Sequence, residues 1–395
     1  MFRKMAKNEN SILLLSVTDL WGGGEEVLLK IALHVEGITF FVATPPGASA
    51  KKFLAHKLNI FPLAYLKKFF RKNGHWAISD RLNTFVNILR SVMPLYSFMR
   101  KKNIPVIAAN GNFAALFALP HVFLFKKKLI IIQHLLYKKN SFEGKLLKTL
   151  AKYSDRFICV SKSVAQNIQT FTGERLGRKC CVIYNGISRP EMNNKMIKSR
   201  VSEGEIRFGV VGSIIQEKGH DRIIEAFAEL TKNFPQCRLY IFGTPREERS
   251  SKFLFRSLQE KVERLNLGDK IIFKGFVEQK TDLYDQFDIL INYSAVPESF
   301  SMAVIEALAY NKIVLASNEG GPSEIIQHEI NGFLVEPRNE RTLVLMMAKV
   351  VTEFENGSLI EIRKNGRATV EKRFALEHFA EAYKNIFETY SLERK

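Results

Sequence analysis

At 395 residues, 46% hydrophobic and 25% charged, the chain has an ordinary globular balance and length enough for two domains, each with its own core. Four cysteines (Cys159, Cys180, Cys181, Cys237) with no C-x-x-C spacing and no histidine cluster argue against structural zinc and for reduced thiols in a cytosolic protein, and no apolar run has the length of a membrane span. The formal charge of +19 is lopsided: residues 1–190 hold 30 Lys+Arg against 9 Asp+Glu, and residues 191–395 hold 29 against 31, so the first half calls for an anionic partner.

In chain order, apolar strands alternate with amphipathic helices. A strand over 12–17, too short for the core of a signal peptide, ends at Trp21-Gly22-Gly23-Gly24. The helix that follows places Val27, Leu28, Ile31 and Leu33 on an apolar face. Three glycines between strand and helix let backbone come close to a phosphate, although a plain tight turn reads the same way. A strand over 38–43 closes at Pro45-Pro46-Gly47, and a basic stretch, 51–103, holds a helix around 79–97. Strands follow over 104–108 and 129–133, the latter ending at His134, which by itself is equally a hydrogen-bonded loop residue. The apolar run 113–125 is interrupted by Pro120 and His121. A strand over 157–160 leads to a helix capped by Ser161 or Ser163, and a strand over 181–184 ends at Asn185-Gly186. The polar stretch beyond, 191–204, reads as a linker.

The alternation then restarts. A strand over 206–211 is followed by G-S-I-I-Q-E-K-G-H-D and a helix over 222–232, with Asp221 as its expected N-cap and Lys218 placed to neutralise a diphosphate. Strands over 238–242 and 271–273 precede a strand over 289–293 that delivers the chain to a loop at Pro297. A helix is expected just after Glu298, with Glu306 two turns in and a stop near Asn311. A strand over 313–316, a Gly-Gly-Pro turn, another helix, and a hairpin-like strand in 331–337 complete the half. The last helix, 375–390, carries an apolar stripe of Leu376, Phe379, Ala380, Tyr383, Ile386 and Phe387. Two glutamates with seven residues between them suit a ligand with hydroxyls at both ends, because a carboxylate accepts from two hydroxyls at once. Taken alone, the pair equally fits a solvated helix start and a surface carboxylate.

The stretch P-E-S-F-S-M-A-V-I-E-A-L-A-Y, with W-G-G-G-E-E-V-L-L-K-I-A at the other end of the chain, resembles the retaining glycosyltransferases of family 4, which have the GT-B fold. The resemblance implies an α/β architecture: two Rossmann-like, doubly wound parallel-sheet domains facing across a cleft. Residues 1–190 would form the acceptor- and membrane-facing domain, completed by a helix in 375–395, and residues 205–374 the donor domain. It implies that Glu306 holds the ribose of a nucleotide sugar and that Glu298 lies against the sugar and its anomeric centre, with Phe300, Ser301 and Met302 in the same donor signature. Gly23 and Gly24 would border the diphosphate, His134 would face the donor sugar, and the loop at Val277 would read the base through its backbone. Ser213 stands where the family usually has an arginine, so either Lys218 would carry more of the charge on the leaving diphosphate or another residue would substitute.

The implied reaction is metal-independent transfer of a hexosyl unit from a nucleoside-diphosphate sugar to a glycan or lipid-linked acceptor, of the lipopolysaccharide or polysaccharide type. No Asp-x-Asp pattern stands where a donor loop would need one, and no cofactor is expected. In the basic half, Y-L-K-K-F-F-R-K (65–72) with Trp76, F-L-F-K-K-K (123–128) and L-L-Y-K-K (135–139) interleave rings and cations. Such segments suit the inner face of an anionic membrane or, more plainly, a solvated basic face over core aromatics. No nucleic-acid-binding motif is present, so nucleic acid is not expected. The other readings of the chain are a membrane- or polyanion-binding protein without catalysis and a nucleotide-sugar epimerase on the same fold.

Overall fold

The structure, a computed structural model, describes residues 10–67, 78–139, 141–188 and 204–392. The linker expected at 191–204 lies outside these residues apart from Gly204, as do residues 68–72 and Trp76 of the first basic-aromatic segment. The chain divides into two compact units, Met1–Asn185 with Glu377–Lys395, and Gly186–Leu376.

The first unit runs β1 (Ser11–Leu15), α1 (Gly23–His34), β2 (Thr39–Thr44), α2 (Ala48–Ala55), β3 (Asn59–Pro62), α3 (Ile78–Lys101), β4 (Val106–Asn110), α4 (Gly111–Phe125), β5 (Lys128–Gln133), α5 (Phe142–Tyr153), β6 (Arg156–Cys159), α6 (Lys162–Gly177) and β7 (Cys180–Val182). Its sheet has seven parallel strands in the order β3-β2-β1-β4-β5-β6-β7. Strands covered by helices on both faces must be apolar throughout rather than alternating. Accordingly Ile12 to Leu15, Val106 to Ala109 and Leu129 to Ile132 are all fully buried. Ser161 caps α6 by accepting from the Val164 N–H, which settles the choice between Ser161 and Ser163. Leu33 is exposed, so the apolar face of α1 is narrower than its sequence suggests.

The second unit runs β8 (Ile206–Val211), α7 (His220–Leu230), β9 (Cys237–Phe242), α8 (Arg249–Arg264), β10 (Ile271–Gly275), α9 (Lys280–Tyr284), β11 (Ile289–Asn292), α10 (Met302–Ala309), β12 (Ile313–Ser317), α11 (Pro322–Ile325), β13 (Phe333–Val335), α12 (Glu340–Glu355) and α13 (Ile360–Arg373). Its six parallel strands follow the order β10-β9-β8-β11-β12-β13. Helix α7 turns Ile223, Ile224, Phe227 and Leu230 into the core, against Leu343 and Met347 of α12. At the amino ends of β8 and β11, the Arg207 guanidinium donates two hydrogen bonds to the Asp288 carboxylate, at 3.0 and 2.9 Å, and its backbone N–H a third at 3.2 Å, which lock the two central strands together.

Three sequence expectations are corrected in this unit. The segment 331–337 forms no hairpin: Phe333–Val335 pairs in parallel with β12 and closes the sheet edge. Asp221 is not an N-cap, because α7 begins at His220 on Gly219 with no side-chain cap, two residues earlier than its apolar pattern suggests. The helix expected just after Glu298 begins only at Met302, because residues 297–301 are held as a loop against Gly320 and Gly321. The final helix, α14 (Leu376–Leu392), belongs with the first unit from Glu377 onward. There Phe379, Tyr383 and Phe387 are buried, and the Phe387 ring meets Phe40 edge-on at 5.8 Å.

Candidate functional site

Both sheets reverse their winding at one point, between β1 and β4 in the first unit and between β8 and β11 in the second. In doubly wound sheets the crevice outside the carboxyl ends of the strands at such a reversal is where ligands bind. The residues singled out from sequence fall at these ends, in two clusters, one per unit.

In the second unit, β8 leads through Gly212 and Ser213 to a single tight turn, Gln216–Lys218, and then to Gly219 in the left-handed conformation. The turn is tied to the loop after β11 by the Ala295 N–H, which donates to the Glu217 carbonyl at 2.9 Å. This places Lys218 against the β11 loop, where its Nζ donates to Glu298 Oε1 at 2.7 Å. Ser294 also donates to that oxygen, and Asn292 does so at 3.3 Å. Burial by itself would push the Glu298 carboxyl up. The Lys218 ammonium and the hydrogen bonds from Lys218 and Ser294 outweigh it and hold the group below the usual carboxylate range. The loop that carries Glu298 is fixed from behind: Gly321 N–H donates to the Glu298 carbonyl at 2.8 Å. Gly320, at φ +64°, approaches so closely that a Cβ there would lie 2.3 Å from that carbonyl oxygen. The Gly-Gly-Pro motif is therefore a backbone support for Glu298.

Glu306 lies in the second turn of α10 and does not touch Glu298. Its Oε2 accepts from Lys280 Nζ at 2.7 Å and from the Tyr284 hydroxyl at 2.8 Å, and Tyr284 is itself stacked on Tyr310 at 4.9 Å. One carboxylate oxygen is thus anchored while Oε1 keeps its lone pairs for a ligand. Ser213 is half-buried after Gly212, and the aliphatic part of Lys218 packs over Gly212. Ser301 is the buried residue before α10, Met302 opens that helix, and Phe300 packs its ring toward Phe374 at 6.0 Å. Val277 follows the carboxyl end of β10, one of the two edge strands of the sheet.

In the first unit, Gly23 and Gly24 open α1, and His134 follows β5. Between them lies a polar chain that the sequence reading missed. Glu25, buried on α1, accepts from Ser16 at 3.0 Å and from the Asn110 amide at 2.8 Å, and Asn110 Oδ1 lies 2.8 Å from His134 Nε2. Because a carboxylate only accepts, the Asn110 NH₂ faces Glu25 and its oxygen faces the histidine. His134 therefore carries its proton on Nε2 and leaves Nδ1 as an acceptor. A Cβ on Gly24 would stand 2.9 Å from the Asn110 amide nitrogen, so this glycine is what lets Asn110 reach Glu25. Asn110 ends β4, the partner of β1 at the reversal, and Ser294 follows β11 in the same way. Position at a strand's carboxyl end was the signal that could have found both.

Two histidines are held neutral. Burial pushes His134 down to about 4, and burial together with the Lys218 ammonium pushes His220 to about 4 from the ordinary 6.5. An unfolded histidine takes up its proton near 6.5, but these do not until about 4. Their contribution to stability is complete above 6.5 and lost as the pH falls from 6.5 to 4, by up to about 1.4 kcal/mol per pH unit for each histidine. Urea midpoints measured across this window should fall steadily, and a His220→Gln variant should show a shallower slope. An unchanged slope would remove His220 from the explanation.

Comparison with known proteins agrees with this architecture. The family model described as Glycosyltransferase Family 4 matches residues 21–189, and that described as Glycosyl transferases group 1 matches residues 191–369. The chain is 26% identical over 256 residues to an uncharacterised glycosyltransferase of Methanocaldococcus jannaschii, a match covering 64% of this chain and 65% of that protein. It is 26% identical over 239 residues to lipopolysaccharide 1,2-N-acetylglucosaminetransferase of Salmonella typhimurium, covering 57% and 61% of the two chains. The matches thus span less than two thirds of these relatives. Among solved structures, Anabaena HepE in complex with UDP and glucose superposes with a TM-score of 0.79 at 20% identity, over 96% of this chain and 100% of that one.

Proposed function

Since the chain belongs to the GT-B glycosyltransferases represented by these family models, we propose that it moves a sugar from a nucleoside-diphosphate sugar to a glycan or lipid-linked acceptor, with retention at the anomeric carbon. The observation that carries this reading is the Lys218–Glu298 pair at the reversal between β8 and β11, supported by a second anchored carboxylate at Glu306. In this reading Glu306 Oε1 accepts from the ribose, and Gly23, Gly24 and the backbone at Val277 border the diphosphate and the base. Ser213 lies at the diphosphate end, with Phe300, Ser301 and Met302 lining the donor beside Glu298. Lys218 opposes the charge that grows on the departing diphosphate, a preorganised electrostatic contribution that needs no rearrangement during reaction. Glu298 orients the sugar, and a departing phosphate oxygen takes the proton of the acceptor hydroxyl. His134 offers Nδ1 to a sugar hydroxyl.

HepE was crystallised with UDP and with UDP-glucose, which supports a uridine donor as the first to test. The Salmonella relative supports an acceptor of the lipopolysaccharide kind. Among the described residues no helix is long and apolar enough to cross a membrane, and the excess cations of residues 1–190 fit peripheral contact with an anionic membrane that presents the acceptor. Incubation with a panel of nucleotide sugars should give one donor that raises the melting temperature and is slowly hydrolysed. The anomeric configuration of the released sugar, followed by proton NMR before mutarotation, should match that of the donor. Release of the opposite anomer would sink retention, and a panel with no stabilising donor would sink the donor site itself.

A further inference from the structure

Helix α3 carries two apolar faces where an ordinary surface helix carries one. Val92, Leu95 and Met99 are buried against the unit, as an amphipathic helix requires. A second row, Ile78, Leu82, Phe85, Leu89 and Met93, recurs every three or four residues along the same helix and is between 56% and 85% exposed. At 1.5 Å per residue this row is about 22 Å long. Single exposed apolar residues need no explanation, but a contiguous row of five large ones marks a surface that meets something.

The neighbouring elements extend the row and supply its chemistry. Helix α3 packs beside α4, and α4 beside α5. The end of α4 exposes Phe123 and Leu124, and Phe142 stands partly exposed at the start of α5 with the Arg81 guanidinium 5.8 Å from its ring. Arg81, Arg90, Lys126, Lys145, Lys148 and Lys152, on or next to these three helices, are all exposed. From residue 78 to residue 153 the chain has 13 Lys+Arg against 2 Asp+Glu.

We propose that this face, the outer row of α3 with the end of α4 and the start of α5, docks on the surface of an anionic lipid bilayer. The row enters the acyl boundary while the surrounding cations stay at the phosphates. Charge decides between this occupant and a second copy of the chain: a symmetric dimer would press two faces of the same strong positive charge together, whereas an anionic headgroup layer neutralises them. The proposal rests on the reading that the acceptor is presented at a membrane, and it deepens that reading by assigning the contact to a helix whose sequence signals no chemistry. It also separates the basic-aromatic segments. Phe123, Leu124 and Lys126 belong to the face, whereas Phe125 stacks on Tyr96, Lys127 donates to the Ile104 carbonyl and Lys128 pairs with Asp155, and Gln133 and Asn167 hold Tyr137 of the 135–139 segment by hydrogen bonds.

The test is sedimentation of the full chain with vesicles of phosphatidylglycerol and phosphatidylcholine, beside vesicles of phosphatidylcholine alone. The intact protein should bind the anionic vesicles, lose binding as salt is raised, and leave the neutral ones largely free. A Phe85→Ser/Leu89→Ser variant should bind at least tenfold more weakly, since two large apolar side chains no longer leave water. Both positions are exposed, so its melting temperature and its stabilisation by UDP should match those of the intact chain. If the variant binds anionic vesicles as well as the intact protein, the α3 assignment is overturned while the membrane reading survives. If the intact protein binds no vesicles, both are overturned. A concentration-dependent dimer abolished by the same substitutions would overturn the proposal in favour of self-association. Donor stabilisation is read separately, so none of these outcomes can be confused with failure of the transferase reading.

Discussion

A Lys218→Ala enzyme is expected to lose transfer activity by about 10²- to 10³-fold, the range seen when one preorganised charge on a developing anion is removed. The same substitution should also destabilise the protein. Glu298 is mostly enclosed, its carboxylate has the Lys218 ammonium at 2.7 Å, and removal of the ammonium leaves a buried carboxylate held by the hydrogen bonds from Ser294 and Asn292, without the opposite charge beside it. Lys218 is partly open to water, so the loss is on the order of 1–3 kcal/mol rather than the full cost of a dry ion pair. With the ammonium gone, burial acts on Glu298 with less opposition, and its carboxyl should titrate at higher pH than in the intact protein. The sign is fixed by linkage. In the intact protein the lowered Glu298 contributes stability that is present above 4.5 and lost as the pH falls through its folded value. In Lys218→Ala that contribution should shrink or reverse. A Lys218→Met/Glu298→Gln double variant removes both charges and should recover stability without recovering activity. Should the double variant prove as unstable as the single one, the pair is not what holds the loop. Should Lys218→Ala turn over at the normal rate, the leaving-group role is wrong. Trapping of a covalent glycosyl ester on Glu298 would likewise exclude the orienting role proposed for it.

For Glu306→Ala the expected loss is in nucleotide affinity, about 10- to 100-fold, corresponding to one or two hydrogen bonds to a charged acceptor. Titration calorimetry with UDP measures it, and 2′-deoxy-UDP shows which part of the ligand is involved. In the intact protein the deoxynucleotide should bind more weakly than UDP, and in Glu306→Ala the two should bind alike. Equal discrimination in both proteins would move the ribose contact elsewhere. The anchoring by Lys280 and Tyr284 gives the effect its size: a carboxylate with one oxygen already fixed loses little freedom when the ligand arrives.

The strands were legible because parallel sheets covered on both faces demand unbroken apolar runs, and runs such as L-I-I-I-Q admit few other readings. Glu298 and Lys218 stood out as candidates because a loop between a strand and a helix in this fold class is where ligands collect, and Glu306 stood out by its spacing from Glu298 and the resemblance of the surrounding stretch. Element ends were less so. The onset of α10 at Met302 depends on Gly320 and Gly321 pressing on the preceding loop from a later part of the chain, and no local preference around Glu298 records that contact.

By itself, the sequence determined the alternation of strand and helix, the two-fold division of charge, and the residue types available at the strand ends. Those properties depend on side-chain chemistry and on spacing along the chain, which are local. Only the tertiary structure decided which groups meet. Lys218 and Glu298 are 80 residues apart, and Glu25 and Asn110 are 85 apart. Each pair comes together because strand order, set by right-handed crossovers, brings the ends of β8 and β11, and of β1 and β4, side by side. The outer row of α3 was likewise invisible beforehand: helical periodicity marks both of its apolar faces alike, and only packing shows which one the fold leaves in water.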